Sequence, residues 1–192
     1  MNIITGTARG TKLKTLDGEA TRPTLQRAKE VIFSAIQFDI EGRRVLDLFA
    51  GSGQLGLEAL SRGAEYAVLV DKSPDAFDTI KENAQKTHLY KKCRIVNMDY
   101  ADYILSAKRG GVKFDLVFLD PPYDSGLLVP ALKSVSVNGL LSDAATVIAE
   151  WEKDTLLDEN PQLNDMYELA KLYKSGRIYF YKLILKKQGE NV

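Results

Sequence analysis

The stretch RVLDLFAGSGQLG (44–56) passes from an apolar run through a glycine turn into the start of a helix. An apolar run broken only by Asp47 needs cover on both faces, which a sheet with one wet side does not supply. Glycine turns adopt backbone conformations that other residues resist and let a ligand approach the main chain. The rest of the chain repeats this rhythm. After a first strand at 44–49, apolar strands are expected at 66–71, 93–97, 114–120 and 146–151. Helices are expected between them at Gln54–Arg62, Asp75–Lys86, Tyr100–Ala107 and Leu127–Ser136. This alternation predicts an α/β fold with a mostly parallel sheet covered on both faces.

The two ends depart from the pattern. Residues 1–20 hold short apolar pieces broken by Gly6, Gly10 and Gly18, which reads as a small N-terminal β-hairpin extension with a basic surface. Thr21-Arg22-Pro23-Thr24 then opens a helix with Thr24 as its N-cap, and Ala28, Val31, Ile32, Ala35 and Ile36 follow at helical spacing. At the other end, residues 166–173 and 177–185 alternate around Lys174-Ser175-Gly176, the pattern of a C-terminal antiparallel hairpin. The expected organisation is a hairpin extension (1–20), one α/β domain (21–187) and a disordered tail (188–192).

Composition narrows the chemistry. A single cysteine, Cys93, excludes an internal disulfide and any multi-cysteine zinc site; its place in an apolar strand suggests a buried thiol. The single histidine, His88, ends a helical stretch on its polar side and is expected at the surface. No metal is expected. Neither an apolar leader nor a run of about 18 apolar residues is present, so a cytoplasmic protein with no membrane partner is expected, acting as a monomer. The net charge is zero, but it is segregated. Residues 1–29 carry six basic side chains against Asp17 and Glu19, residues 169–189 carry six and no acid, and residues 139–168 carry eight acids against Lys153. Such patches can attract phosphate locally, although most charge clusters are merely solvated faces.

Three motifs carry the chemistry. Gly51 to Gly56 is a literal GxGxxG, and Asp71 at the end of the second strand is the acid expected to hold ribose hydroxyls. That pair fits a dinucleotide or S-adenosylmethionine (SAM). Asp47 inside the first strand faces a pyrophosphate badly and suits a ligand with an amino group and a sulfonium; alternatively it caps the turn by accepting from backbone amides. The second motif, Asp120-Pro121-Pro122-Tyr123, follows the fourth strand, where ligands of open α/β sheets bind. Its prolines stiffen the turn and present carbonyls. The Asp120 carboxylate and the Pro121 carbonyl can accept the two hydrogens of an amine, turning its lone pair toward a methyl donor. Tyr123 offers a face on which an unstacked base can lie. The bland alternative is an Asp-Pro turn that ends a strand. The third motif is Asn97-Met98-Asp99-Tyr100; Asp99 either accepts from an adenine amino group or caps the next helix, and both can hold.

The segments TRPT with its helix (21–36), LDLFAGSGQLGLEALSRGA (46–64), VNMDYADYI (96–104) and FLDPPY (118–123) resemble the bacterial 16S rRNA guanine-N2 methyltransferases of the RsmD type. The resemblance runs over nearly the whole chain, with TRPT and LEALSRGA its more specific parts. It implies a Rossmann-like class I SAM-dependent methyltransferase with a seven-stranded sheet. It implies SAM held by Asp47, Phe49, Ala50, Gly51, Gly53, Asp71, Lys72, Asp99 and Tyr100, with Arg22 and Thr24 at the border of the site. It implies catalysis at Asp120, Pro121, Pro122 and Tyr123 on a guanine of ribosomal RNA, free or in the small ribosomal subunit. Arg9, Lys12, Lys14, Arg22 and Arg27 become candidates for RNA phosphates. Family members usually carry Glu where this chain has Asp71, and a further acid where it has Ser73, which implies a weaker grip on the cofactor. A DNA adenine-N6 methyltransferase shares the amine chemistry. An NAD-dependent oxidoreductase fits the glycine turn but leaves Asp47 and DPPY unexplained. An RNA-binding assembly factor on this fold would bind RNA without transferring methyl groups.

Overall fold

The computed structural model describes residues 1–16 and 23–186, with residues 23–28 described by backbone alone. Helix α1 (Pro23–Ala35) precedes β1 (Arg44–Asp47), α2 (Gln54–Ser61), β2 (Tyr66–Asp71), α3 (Pro74–Lys86), β3 (Cys93–Asn97), α4 (Tyr100–Arg109) and β4 (Phe114–Leu119). Then follow α5 (Leu128–Val137), β5 (Leu141–Trp151), a short α6 (Leu156–Glu159), β6 (Tyr167–Ser175) and β7 (Ile178–Leu185). One seven-stranded sheet runs in the order β3-β2-β1-β4-β5-β7-β6, parallel through β5 and antiparallel at β7 and β6. This is the doubly wound methyltransferase-like arrangement. Ligands of such sheets lie where the strand order reverses, here between β1 and β4. Among the described residues no helix is long and apolar enough to cross a membrane.

Two apolar layers sandwich the sheet. On one face Phe33 of α1 and Ile36 just beyond it pack with Leu57 and Leu60 of α2 and Ile80 of α3; on the other, Ile104 of α4 packs with Leu132 and Val135 of α5. Five strands, β1, β4, β5, β6 and β7, end or begin away from their expected limits. β1 stops at Asp47 because the next amides leave its ladder: Leu48 donates to the Phe118 carbonyl and Ala50 to the Val70 carbonyl. β5 begins at Leu141, five residues early, because Ala144 takes a φ of 58° and absorbs an irregularity in the β4–β5 register. β6 and β7 meet at a two-residue turn whose first residue, Gly176, has a φ of 63°, the conformation that such hairpins require. Helix α6 and two single-turn 3-10 helices, Tyr90–Lys92 and Pro161–Leu163, have no counterpart in the sequence pattern.

Other expectations need correcting. Helix α1 starts at Pro23, so Thr24 lies inside the first turn and is not its cap; proline suits that first position because the amide it lacks would be unpaired anyway. Cys93 is only partly buried because β3 is an edge strand, although that burial still raises its thiol to about 11. His88 is exposed at the end of α3, with a φ of 59°. The proposed boundary at residue 20 and the tail 188–192 lie outside the described residues.

The N-terminal loop closes with an antiparallel bridge between Asn2 and Lys12 and is stitched to the back of α2. Glu58, fully buried, accepts from the Ile4 amide at 2.7 Å, the Thr5 amide at 3.1 Å and Arg62 Nε at 2.7 Å. Gly6 has a φ of 89° and so little room that an added Cβ would fall 1.7 Å from the Ser61 carbonyl oxygen. Further on, Asn83 of α3 accepts from the Lys14 amide and donates to both the Lys14 and Ser52 carbonyls, tying the loop to the glycine turn. Glu58→Ala would strand two amides and a guanidinium in the interior. We expect it to lower stability by about 3–5 kcal/mol, the cost of breaking a buried charge pair from one side. Urea unfolding with a midpoint shift below a tenth of that size would contradict the arrangement.

Candidate active site

The carboxyl ends of β1, β2, β4 and β5 open into one cavity of about 1320 Å³. The glycine turn forms its floor. Asp47, 1% exposed within β1, accepts from the Gly56 amide at 3.0 Å and so holds the first turn of α2. Asp71 accepts from the Gly51 amide at 2.9 Å and, through its other oxygen, from the Ser73 amide at 2.9 Å. The Asp71 carboxylate thus braces the turn while lining the cavity. Ser73 in turn caps α3 by accepting from the Ala76 amide.

Phe49, Ala50, Gly51, Lys72, Asp99 and Tyr100 line the cavity with Asp47 and Asp71. The Phe49 and Tyr100 rings pack at 5.3 Å between centroids and close one side. Asp99 both borders the cavity and caps α4, accepting from the Ala101 amide at 2.9 Å. Gly53 is not on the wall: its φ of 79° begins α2, and an added Cβ would meet Ile80 of α3 at 3.1 Å. Arg22 lies outside the described residues, as do the side chains of Thr24 and Arg27.

Asp120, Pro121, Pro122 and Tyr123 line the opposite wall. After them Asp124 takes a φ of 57° and the Ser125 amide donates to the Pro122 carbonyl, so the chain turns back at once. Tyr123 is 58% exposed, yet its hydroxyl donates to Glu150 Oε1 at 2.6 Å. Burial of the hydroxyl, that bond and the nearby carboxylates hold the phenol protonated, far above its ordinary range. Glu150 also shares a hydrogen bond with Asp120. Burial raises the Glu150 carboxyl above its usual value, against the pull of both hydrogen bonds.

Three wall residues were not singled out from the sequence. Glu150 stands just before the last residue of β5, and Asp71 ends β2, so acids recur near strand ends in the sequence. Arg177 comes from the β6–β7 turn. Lys29 lies on the buried stripe of α1, spaced with Ile32, Phe33 and Ile36, and a cation on such a stripe is itself a signal. Burial pulls its amine down to about 7, partly offset by Glu58 and Asp47. Arg9, Lys12 and Lys14 are exposed on the N-terminal loop, off the cavity wall, and Lys14 pairs with Glu82 at 2.7 Å. Among the described residues no three His, Cys, Asp or Glu side chains cluster as metal ligands.

A family model described as "Conserved hypothetical protein 95" matches residues 1–182. The chain belongs to this methyltransferase family. The putative rRNA methyltransferase YlbH of Bacillus subtilis is 37% identical to this methyltransferase over 159 residues, covering 83% of this chain and 86% of that protein. Ribosomal RNA small subunit methyltransferase D of Escherichia coli K12 is 32% identical over 191 residues, covering 100% and 93%. The solved structure of the putative methyltransferase yhhF from Escherichia coli matches with a TM-score of 0.82 at 29% identity, over 98% of this chain and 99% of that one. A putative methyltransferase solved in complex with SAH, SMU.776, shares the fold at 16% identity and a TM-score of 0.69, over 81% of this chain and 48% of that one.

The raised Glu150 carboxyl gives this methyltransferase a stability signature. A carboxyl whose pKa the fold raises stabilises the folded state at low pH, and that stability is lost as pH rises through its folded value. Glu150→Gln is therefore expected to unfold at higher urea than the parent at pH 7, with the gap closing below about pH 4. A gap that is constant with pH would refute the burial account.

Proposed function

We propose that the enzyme transfers a methyl group from SAM to the exocyclic N2 amine of a guanine in small-subunit (16S) ribosomal RNA. The observation that carries this reading is the sharing of one cavity by the glycine turn and the Asp120–Tyr123 segment. Ligand pockets commonly hold about 300–1000 Å³. A space of about 1320 Å³ leaves room for a cofactor and an unstacked base together. The polar groups also fit this cofactor: the wall carboxylates suit its cationic groups, and the buried Gln54 amide nitrogen on the wall, with no partner among the described residues, can donate to one of its acceptors. The small-subunit RNA target is supported by the names of the relatives in Haemophilus influenzae and Escherichia coli.

When bound, SAM supplies a methyl group made electrophilic by a sulfonium. Asp47, Gly51, Asp71 and Asp99 would hold it. The work left to the protein is placement, an effect that can supply about 7–11 kcal/mol. Asp120 and the Pro121 carbonyl accept the two amine hydrogens, which takes the nitrogen lone pair out of conjugation. Asp120 also offsets the positive charge that grows on that nitrogen. Tyr123, tied by its hydroxyl to Glu150, presents its face to the base. The surplus proton can leave to Asp120 or to water.

Asp120→Ala should lower methyl transfer by about 10²–10³-fold while cofactor binding by calorimetry persists. Unchanged turnover would overturn the assignment. Tritiated SAM with small subunits from a strain lacking the protein and, in parallel, with DNA, followed by nucleoside mass spectrometry, identifies the base; methyladenine in the DNA with no methylguanine in the subunits would replace the guanine reading. Arg9→Glu with Lys12→Glu should weaken RNA binding and flatten its salt dependence by about 0.7–0.9 per lost phosphate contact. Unaltered affinity removes the N-terminal loop as an anchor.

A further inference from the structure

We infer that the Lys29 ammonium anchors the carboxylate of the methyl donor's amino-acid end, which makes it a specificity-determining residue for the donor. The inference rests on the cofactor reading above and assigns one group within it. Lys29 is 4% exposed, its stem lies among the apolar residues of α1, and its amine is buried without a hydrogen-bond partner among the described residues. Yet it belongs to the cavity wall. Among the described residues, the charged groups that face it are Asp47 of β1, Glu58 of α2 and Arg62 just after α2. Glu58 is already committed to the Ile4 and Thr5 amides and to Arg62. Burying an amine without a partner is costly, and among the described residues no hydrogen bond returns that cost.

Sheet order says which end of a ligand reaches it. Asp99 follows β3 and Asp71 ends β2, so the adenosine side falls there. Asp120 follows β4, so the reactive methyl lies toward it. Asp47 and Lys29 stand where the remaining amino-acid end must go, one offering a carboxylate and the other an ammonium. A zwitterion matches that pair. A nucleic-acid phosphate does not, because Asp47, Asp71, Asp99, Asp120 and Glu150 line the same space.

The test is calorimetric binding to the full-length chain of SAM and of decarboxylated SAM, for the parent, Lys29→Met and Lys29→Arg. The parent should prefer the carboxylate-bearing donor by roughly tenfold or more, the scale of a hydrogen bond between charged groups. Lys29→Met should lose that preference by weakening SAM alone, and Lys29→Arg should keep it. A carboxylate favours the protonated amine, so the parent's preference should fall as pH rises above about 7, the value burial imposes on the free site. Lys29→Arg, which does not titrate, should lack that fall; this comparison decides the matter if Lys29→Met does not fold. Retained preference in Lys29→Met, equal weakening of both donors, or parallel pH profiles in parent and Lys29→Arg overturns the inference. Equal affinity of the parent for both donors overturns it while leaving the cofactor reading standing. A parent that binds neither donor overturns the cofactor reading itself.

Discussion

The bond from the Gly56 amide to Asp47 sets the position of nearly everything else. It lies in the interior, joins a strand to the first turn of the helix after it, and presents a negative charge to the positive end of α2. Asp71 makes the matching bond from the neighbouring strand to Gly51. The glycine turn is thus held from two strands at once, and the cavity floor inherits the stiffness of the sheet. Through Asn83 the same turn is joined to the N-terminal loop, and through Glu58 that loop is joined to the helix the turn begins. Cofactor floor and basic loop are one mechanical unit.

The cavity is acidic and the basic residues lie outside it, which separates two recognition tasks. Carboxylates from five strand ends suit a cationic donor and a neutral amine, and they repel a polyanion. Phosphates must therefore be met at the rim and beyond, where Arg177 borders the cavity and Arg9 and Lys12 are exposed. On the proposed substrate, a single base enters while its backbone stays out. That geometry explains why a chain of zero net charge can serve RNA: the balance is spatial and the average conceals it.

The sequence revealed the parallel sheet because five apolar runs and a glycine turn admit few other arrangements, and it revealed both cavity walls because each follows a strand directly. It hid what depends on tertiary neighbours. Nothing local distinguishes Gly51, on the wall, from Gly53, which faces Ile80. Cys93 reads as buried until β3 is known to be an edge. Glu150 and Lys29 each carried a signal, one as an acid near a strand end and the other as a cation on an apolar stripe. Both signals acquire meaning only when the strands are set side by side.

The place of β7 between β5 and β6 has a consequence for synthesis. The side of β5 from Thr146 to Trp151 pairs with residues 179–184, which are made after it. Until they emerge, a central strand with a buried, apolar middle presents an open edge, the kind of surface that recruits other chains. The tight turn at Gly176 lets the last two strands form a ribbon locally, which can then dock as a unit. Without β7 the sheet would lose both the partner that shields β5 and the cavity residues Ile178 and Phe180.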